Sequence, residues 1–138
     1  MTDTYVQLDT AILAESKGFK IYTDYVYADR AHYTIYDSRN GDEITFEYKP
    51  PRVVYRFHLD QRDNRICIAP TQASLQTWLR DTHNIDVESR VHIANGTPFT
   101  KSYQIYINGI PPTSIMYGSY EAALEAGLIY ALHSITTN

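Results

Sequence analysis

Turn signals between segments of alternating polarity constrain the fold of this chain more than any other feature. Two such turns are Asn40-Gly41, between residues 31–36 and 43–48, and Asn95-Gly96, between residues 85–94 and 99–107. Asn-Gly favours tight hairpin connections, and the flanking segments are rich in Tyr, Ile, Thr and Val. Because strands joined by short turns pair antiparallel, the sequence predicts antiparallel pairing and not parallel βαβ winding.

A third hairpin is predicted further along the chain. The polar run 60–64 separates residues 53–59 from residues 65–68, and both flanking segments alternate between apolar and polar residues. We expect these two strands to pair and their connecting loop to be exposed.

Three segments predict helices. The first follows Thr4-Tyr5-Val6-Gln7, which fits a capping box, and ends near Lys17 with Gly18-Phe19 as its C-cap. Its apolar stripe is expected to contain Val6, Leu8 and Ile12. The second helix covers residues 72–83 after an N-cap at Thr71.

The last helix follows Ser119, a favoured N-cap residue, with Glu121 in its first turn. Its apolar residues are spaced by four, four and three: Leu124, Leu128, Leu132 and Ile135. Together the segments predict one α+β domain over residues 1–138, an antiparallel sheet with about three helices packed mainly on one face.

Charge and composition exclude several classes of function. Sixteen acidic against twelve basic residues give a net charge of −4, which disfavours general nucleic-acid binding. No stretch approaches the roughly 20 apolar residues of a membrane span. The chain has one cysteine, Cys67, and shows no signal-peptide pattern. These features predict a cytoplasmic protein, located in the host cytosol if the chain comes from a phage.

Two segments carry a resemblance to a family. They are Ala69-Pro70-Thr71-Gln72 with Leu75-Gln76-Thr77-Trp78-Leu79-Arg80, and Tyr120-Glu121-Ala122-Ala123-Leu124-Glu125-Ala126-Gly127-Leu128 with Ala131-Leu132. The chain resembles uncharacterised small proteins of phages and mobile elements, many from Bacteroidetes. That resemblance implies a compact α+β protein from a phage or prophage-like context, favours a host-takeover or counter-defence role, and transfers no catalytic motif. The leading hypothesis is therefore a non-enzymatic protein that binds a host protein.

An arginine-rich segment is the candidate ligand site. Arg52, Arg56 and Arg65 occur with Tyr55 and His58 in the third predicted hairpin. Guanidinium groups bind phosphate in bidentate fashion, and aromatic rings stack on bases, so this set suits a small phosphorylated ligand such as a nucleotide. The alternative is an ordinary solvated hairpin, since residues 52–65 hold four arginines but also two aspartates.

Tyrosine is unusually frequent, with 13 residues against four Phe and one Trp. Tyr103, Tyr106 and Tyr117, with the irregular segment 108–118, are the candidate surface for a host protein. Two alternatives remain open: the tyrosines fill a sheet face, or they form the interface of a homo-oligomer.

No pattern indicates catalysis or a metal site. The five histidines lack H-x-x-x-H and H-E-x-x-H spacing, and no phosphate loop, dinucleotide fingerprint or nucleophile elbow is present. Cys67 with His58 across the third hairpin is one conceivable nucleophile and base, and a small buried thiol is the alternative. We therefore expect a non-enzymatic protein without catalytic residues, cofactor or metal.

Overall fold

A computed structural model describes residues 4–21, 23–30, 32–36, 39–47, 51–58, 63–93 and 101–136. Its helices are α1 (Leu8–Ser16), α2 (Gln72–His83) and α3 (Tyr120–Ser134). Its strands are β1 (Tyr25–Arg30), β2 (His32–Tyr36), β3 (Glu43–Glu47), β4 (Arg52–Tyr55), β5 (Asp63–Ile68), β6 (Val87–Ile93) and β7 (Lys101–Ile107). Every strand pair is antiparallel, so the predicted α+β class is confirmed. The chain forms two compact units, Met1–Phe19 with Pro70–Asn138, and Lys20–Ala69.

In the first unit, α3 packs on the β6–β7 hairpin and also contacts α1 and α2. The predicted stripe of α3 is confirmed, because Leu124, Leu128, Leu132 and Ile135 are all buried. Gly127 lies where the helix approaches the hairpin most closely: a Cβ there would be 2.8 Å from Cγ1 of Val87. The turn between β6 and β7 lies outside the described residues.

The second and third helices begin where the sequence predicts. The Thr71 hydroxyl accepts a hydrogen bond from the Ser74 amide, and the Ser119 hydroxyl accepts one from the Ala122 amide, each at 3.1 Å. Helix α2 ends at Asn84, whose φ of 54° is the left-handed conformation typical of a helix end. Local capping chemistry therefore sets these boundaries.

The predicted capping box of α1 is wrong. The helix begins at Leu8, and its preceding residue makes no side-chain cap. Residues 4–6 are used instead to pair with the start of α2, since the Val6 amide donates to the Pro70 carbonyl at 3.0 Å and the Gln72 amide donates to the Thr4 carbonyl at 2.8 Å. Val6 is therefore buried outside the helix.

The apolar stripe predicted for α1 is wrong as well. Ile12 is 45% exposed, and the buried residues of the helix are Thr10, Ala11 and Ala14. The predicted end is confirmed: Lys17 is the C-cap, and Gly18 has a φ of 101°, which favours glycine.

The second unit contains a three-stranded sheet in the order β4-β1-β5 and the separate β2–β3 hairpin. The predicted pairing around Asn40-Gly41 is confirmed by β2 and β3. The predicted third hairpin is wrong, because β4 and β5 each pair with β1 and not with each other. Strand β1 carries the buried residues Val26 and Ala28, and its burial between two neighbours satisfies both of its backbone edges. Of the predicted exposed loop, residues 60–64, the first three lie outside the described residues and the last two are the start of β5.

Candidate functional site

The second unit holds a small pocket on one face of the β4-β1-β5 sheet. The pocket encloses about 170 Å³ and is lined by Lys20, Thr23, Val26, Arg56, Arg65 and Ile68. Val26 and Ile68 are register partners on β1 and β5, and they provide an apolar floor. Of the six described residues that line the pocket, three are cationic at neutral pH and none is acidic.

A β-bulge brings Arg65 to this pocket. The pairing of β1 with β5 passes from Tyr27 opposite Cys67 to Ala28 opposite Arg65, so Ile66 is an extra residue in β5. Bulges of this kind change the direction of a side chain. Arg65 is consequently opposite Ala28. Ala28 and Val26 are two residues apart in β1 and share one face of the sheet, so Arg65 lies on the same face as Val26.

The end of β4 positions Arg56. The strand passes into a 3₁₀ turn, Arg56–His58, whose first amide donates a hydrogen bond to the Asp24 carbonyl at 2.7 Å. This bond places Arg56 next to the residues that precede β1. Thr23, also in the lining, donates its hydroxyl to the Tyr25 carbonyl.

The chemistry of this arrangement favours an anion. Guanidinium groups present rigid forks of N–H donors that match phosphate oxygens, and an ammonium adds a compact positive charge. The apolar floor lowers the local dielectric, which strengthens attraction between the cations and a bound anion. These three cations line one pocket in a chain whose net charge is −4.

The structure brings only part of the sequence-predicted ligand site together. Arg56 and Arg65 line the pocket. Arg52 does not line the pocket. It is opposite Ala28 on β4, whereas Arg65 is opposite Ala28 on β5, so the two arginines are about 10 Å apart, or two strand spacings. Tyr55 is opposite Tyr25, and strand alternation places both on the opposite face of the sheet.

Tyr55 instead forms the centre of an aromatic group. Its ring centroid lies 5.5 Å from that of Tyr25, 5.2 Å from that of Phe57 and 5.1 Å from that of His58. Phe57 is 66% exposed although it is a large apolar residue. His58 is therefore an aromatic neighbour of Tyr55 and is absent from the pocket lining.

Sequence reasoning missed Lys20 and Thr23. They precede Arg56 by more than 30 residues, and no local pattern connects them to it. Only the pairing of β1 with β4, and the Asp24–Arg56 backbone bond, bring the two segments together.

The tyrosines of the predicted partner surface do not share one face. Tyr103 and Tyr117 are joined by two backbone hydrogen bonds of 2.9 and 2.8 Å, and both are half-buried. Tyr106 lies on the opposite face of β7 by alternation, where the Arg90 guanidinium is 4.2 Å from its ring centroid. The segment 108–118 carries exposed apolar side chains, Ile110, Ile115 and Met116.

Segment 108–118 is held against β7. Besides the Tyr103–Tyr117 pair, the Ile107 amide donates to the Ile110 carbonyl at 2.8 Å, and the Gln104 side-chain amide donates to the Thr113 carbonyl at 3.1 Å. Segment 108–118 is therefore attached to β7 near its start, at its middle and near its end.

A charged group lies on the same face of the hairpin as Tyr106. The Arg90 guanidinium is 2.7 Å from the Glu88 carboxylate and holds the Glu88 pKa below its ordinary value. Burial raises the pKa of Asp86, and a hydrogen bond shared with Glu88 raises it further. Asp86 therefore holds its proton more tightly in the folded protein than an isolated aspartate does.

Cys67 is 2% exposed and lies opposite Tyr27. The hairpin that would have brought His58 beside it is not formed. Among the described residues, no three His, Cys, Asp or Glu side chains are grouped as a metal site would require. No helix in the described part of the chain has the length and apolar character needed to cross a membrane.

Comparison of the chain with protein-family models, with curated proteins and with solved structures finds no significant match.

Proposed function

We propose that this protein binds a small phosphorylated ligand in the pocket lined by Lys20, Arg56 and Arg65. The observation that carries the proposal is the convergence of these three cations on one apolar-floored pocket. Arg65 reaches it only through a β-bulge, a feature that often re-aims side chains at binding sites.

The size of the pocket indicates which part of a ligand it holds. Its volume of about 170 Å³ is below the roughly 300–1,000 Å³ of clefts that enclose drug-sized molecules. A phosphoryl group fits, and the remainder of a larger ligand would lie outside. Because the whole chain carries a net charge of −4, long polyanions are repelled more strongly than small anions.

The test is thermal unfolding and calorimetric titration with inorganic phosphate, pyrophosphate and a panel of nucleotides. A ligand that binds only the native state raises the melting temperature, by the equivalent of about 2.7 kcal/mol at 100 times Kd. Arg65→Ala removes charge-assisted hydrogen bonds worth about 1.5–3 kcal/mol, so affinity is expected to fall roughly 10- to 150-fold.

Arg80→Ala is the matched control, because Arg80 is an exposed arginine that does not line the pocket. It is expected to leave affinity unchanged. Unchanged melting temperatures across the whole panel, or equal losses in the two variants, would refute phosphate binding at this pocket.

A second candidate function is binding of a host protein, as the resemblance to phage proteins implies. The exposure of Ile110 (68%), Ile115 (55%) and Met116 (43%) favours it, because these side chains lie close together in sequence on a fixed segment. The companion substitutions Tyr106→Ala and Tyr117→Ala test the tyrosines separately.

The assay is quantitative capture from host lysate by wild type and by Ile115→Asp. Loss of a stoichiometric partner in the variant would support this surface. Capture that none of the three substitutions changes would count against it. Light scattering of the purified protein tests the remaining alternative, a homo-oligomer.

A further inference from the structure

Phe57 is an exposed aromatic ring beside the basic pocket. Its side chain is 66% exposed, the highest value among the large aromatic residues that the structure describes as exposed. It lies in the 3₁₀ turn that also contains Arg56, which lines the pocket. An aromatic ring with this exposure offers a stacking surface at little cost in desolvation.

Arg56 connects the ring to the pocket. Its guanidinium carbon is 5.6 Å from the centroid of the Phe57 ring, within the range of a cation–π contact. An anion held by Arg56 is therefore close to the ring. In a nucleoside monophosphate, one sugar unit separates the base from its 5′-phosphate.

Tyr55, which lies on the face of the sheet opposite the pocket, packs against the Phe57 ring where β4 ends. The Tyr55 and Phe57 centroids are 5.2 Å apart with ring planes tilted by 59°, and Tyr55 is itself packed against Tyr25. These contacts restrict the orientation of Phe57 while leaving most of its surface exposed. A fixed ring loses less conformational entropy on binding than a mobile one.

We infer that the ligand of the pocket is a nucleoside monophosphate, with its phosphate at Lys20, Arg56 and Arg65 and its base stacked on Phe57. This inference rests on the proposed function and assigns the aromatic part of the ligand. It also moves the stacking role from Tyr55, the ring that the sequence suggested, to Phe57.

The experiment compares AMP with ribose 5-phosphate, which carries the same phosphate and sugar but no base, by calorimetric titration. Stacking on one aromatic side chain is worth roughly a 5- to 150-fold difference in affinity. The wild type is expected to bind AMP more tightly than ribose 5-phosphate by at least the lower figure. Phe57→Ala and Phe57→Leu are expected to bring the ratio close to one.

Two controls separate stacking from folding and from phosphate binding. Tyr130→Ala removes another exposed aromatic ring, 47% exposed on α3, and is expected to leave the ratio unchanged. Arg65→Ala is expected to weaken both ligands together.

The outcomes are distinguishable. Equal affinities of the wild type for AMP and ribose 5-phosphate would overturn the inference and leave phosphate binding in place. A preference for AMP that survives Phe57→Ala would also overturn it. Absence of binding by either compound, and by inorganic phosphate, would overturn the proposed function itself.

Discussion

Gly127→Ala tests how closely α3 packs on the β6–β7 hairpin. A Cβ at this position would be 2.8 Å from Cγ1 of Val87 and 3.3 Å from Cγ2 of Ile105, whereas carbon atoms pack best at about 3.5–4.0 Å. Val87 is fully buried and Ile105 is 2% exposed. Both are β-branched and restricted at χ1, so neither side chain can turn away at low cost.

The magnitude follows from two opposing effects. Extra volume in a packed core costs about 1–3 kcal/mol, and contact with a stiff buried side chain puts this site in the upper half of that range. Replacing glycine by alanine inside a helix recovers about 1 kcal/mol. We therefore expect Gly127→Ala to lower the free energy of unfolding by about 1–2 kcal/mol, which is roughly 4–8 °C in Tm for a chain of this size.

Urea unfolding followed by circular dichroism measures the change, with Val87→Ala and the double variant completing a cycle. Val87→Ala removes the atom that Cβ would meet, so the double variant is expected to be more stable than additivity predicts by about 1 kcal/mol or more. Stability of Gly127→Ala equal to or above that of the wild type would refute the packing argument, as would a cycle without coupling.

Three further predictions concern polar groups of the first unit. The raised pKa of Asp86 means that the folded state holds this proton more tightly than the unfolded chain, so its contribution to stability falls as pH rises above the ordinary value of 3.8. Asp86→Asn, which keeps the shape of the side chain next to Glu88, is expected to gain stability relative to wild type in urea unfolding as the pH rises above 3.8, and parallel pH curves would contradict this. Glu125 is 7% exposed and accepts a hydrogen bond from the Gln72 side chain at 3.1 Å and one from a backbone amide before α1. Glu125→Ala removes the acceptor of both bonds, while the Gln72 side-chain amide keeps its bond to the Glu121 carbonyl at 2.9 Å. We expect a loss of about 2–4 kcal/mol for that variant and a smaller loss for Glu125→Gln, with equal losses refuting the role of the acceptor. The hydroxyl of Thr10 is buried and meets no hydrogen-bond partner among the described residues, so Thr10→Val is expected to be neutral or stabilising by up to about 1 kcal/mol in the same assay, and a clear loss would be the contrary result.

Helix boundaries were predicted correctly where capping residues adjacent in sequence determine them. Helix α2 covers the predicted residues because Thr71 caps its start and Asn84 ends it in a left-handed conformation. The same reasoning failed for α1, since the Thr4 backbone pairs with Gln72, more than 60 residues away. A helix boundary that depends on a backbone partner far away in the sequence cannot be predicted from the residues next to it.

The candidate site shows the same division. Arg56 and Arg65 were predicted from residue type alone, and the structure brings both to one pocket. Lys20 was missed, because it joins them only through β1 pairing between β4 and β5. Tyr55 was assigned to the ligand because it is adjacent to Arg56 in sequence. Strand alternation places the two side chains on opposite faces of the sheet.

The most direct test of phosphate binding at the basic pocket is NMR titration of the wild type with AMP, observing the arginine Nε–H signals. We expect saturable shifts of the Arg56 and Arg65 signals, weakened by added salt and absent in Arg65→Ala, while the Arg80 and Arg90 signals stay in place. Shifts of equal size at all four arginines, or no shift at Arg65, would contradict it.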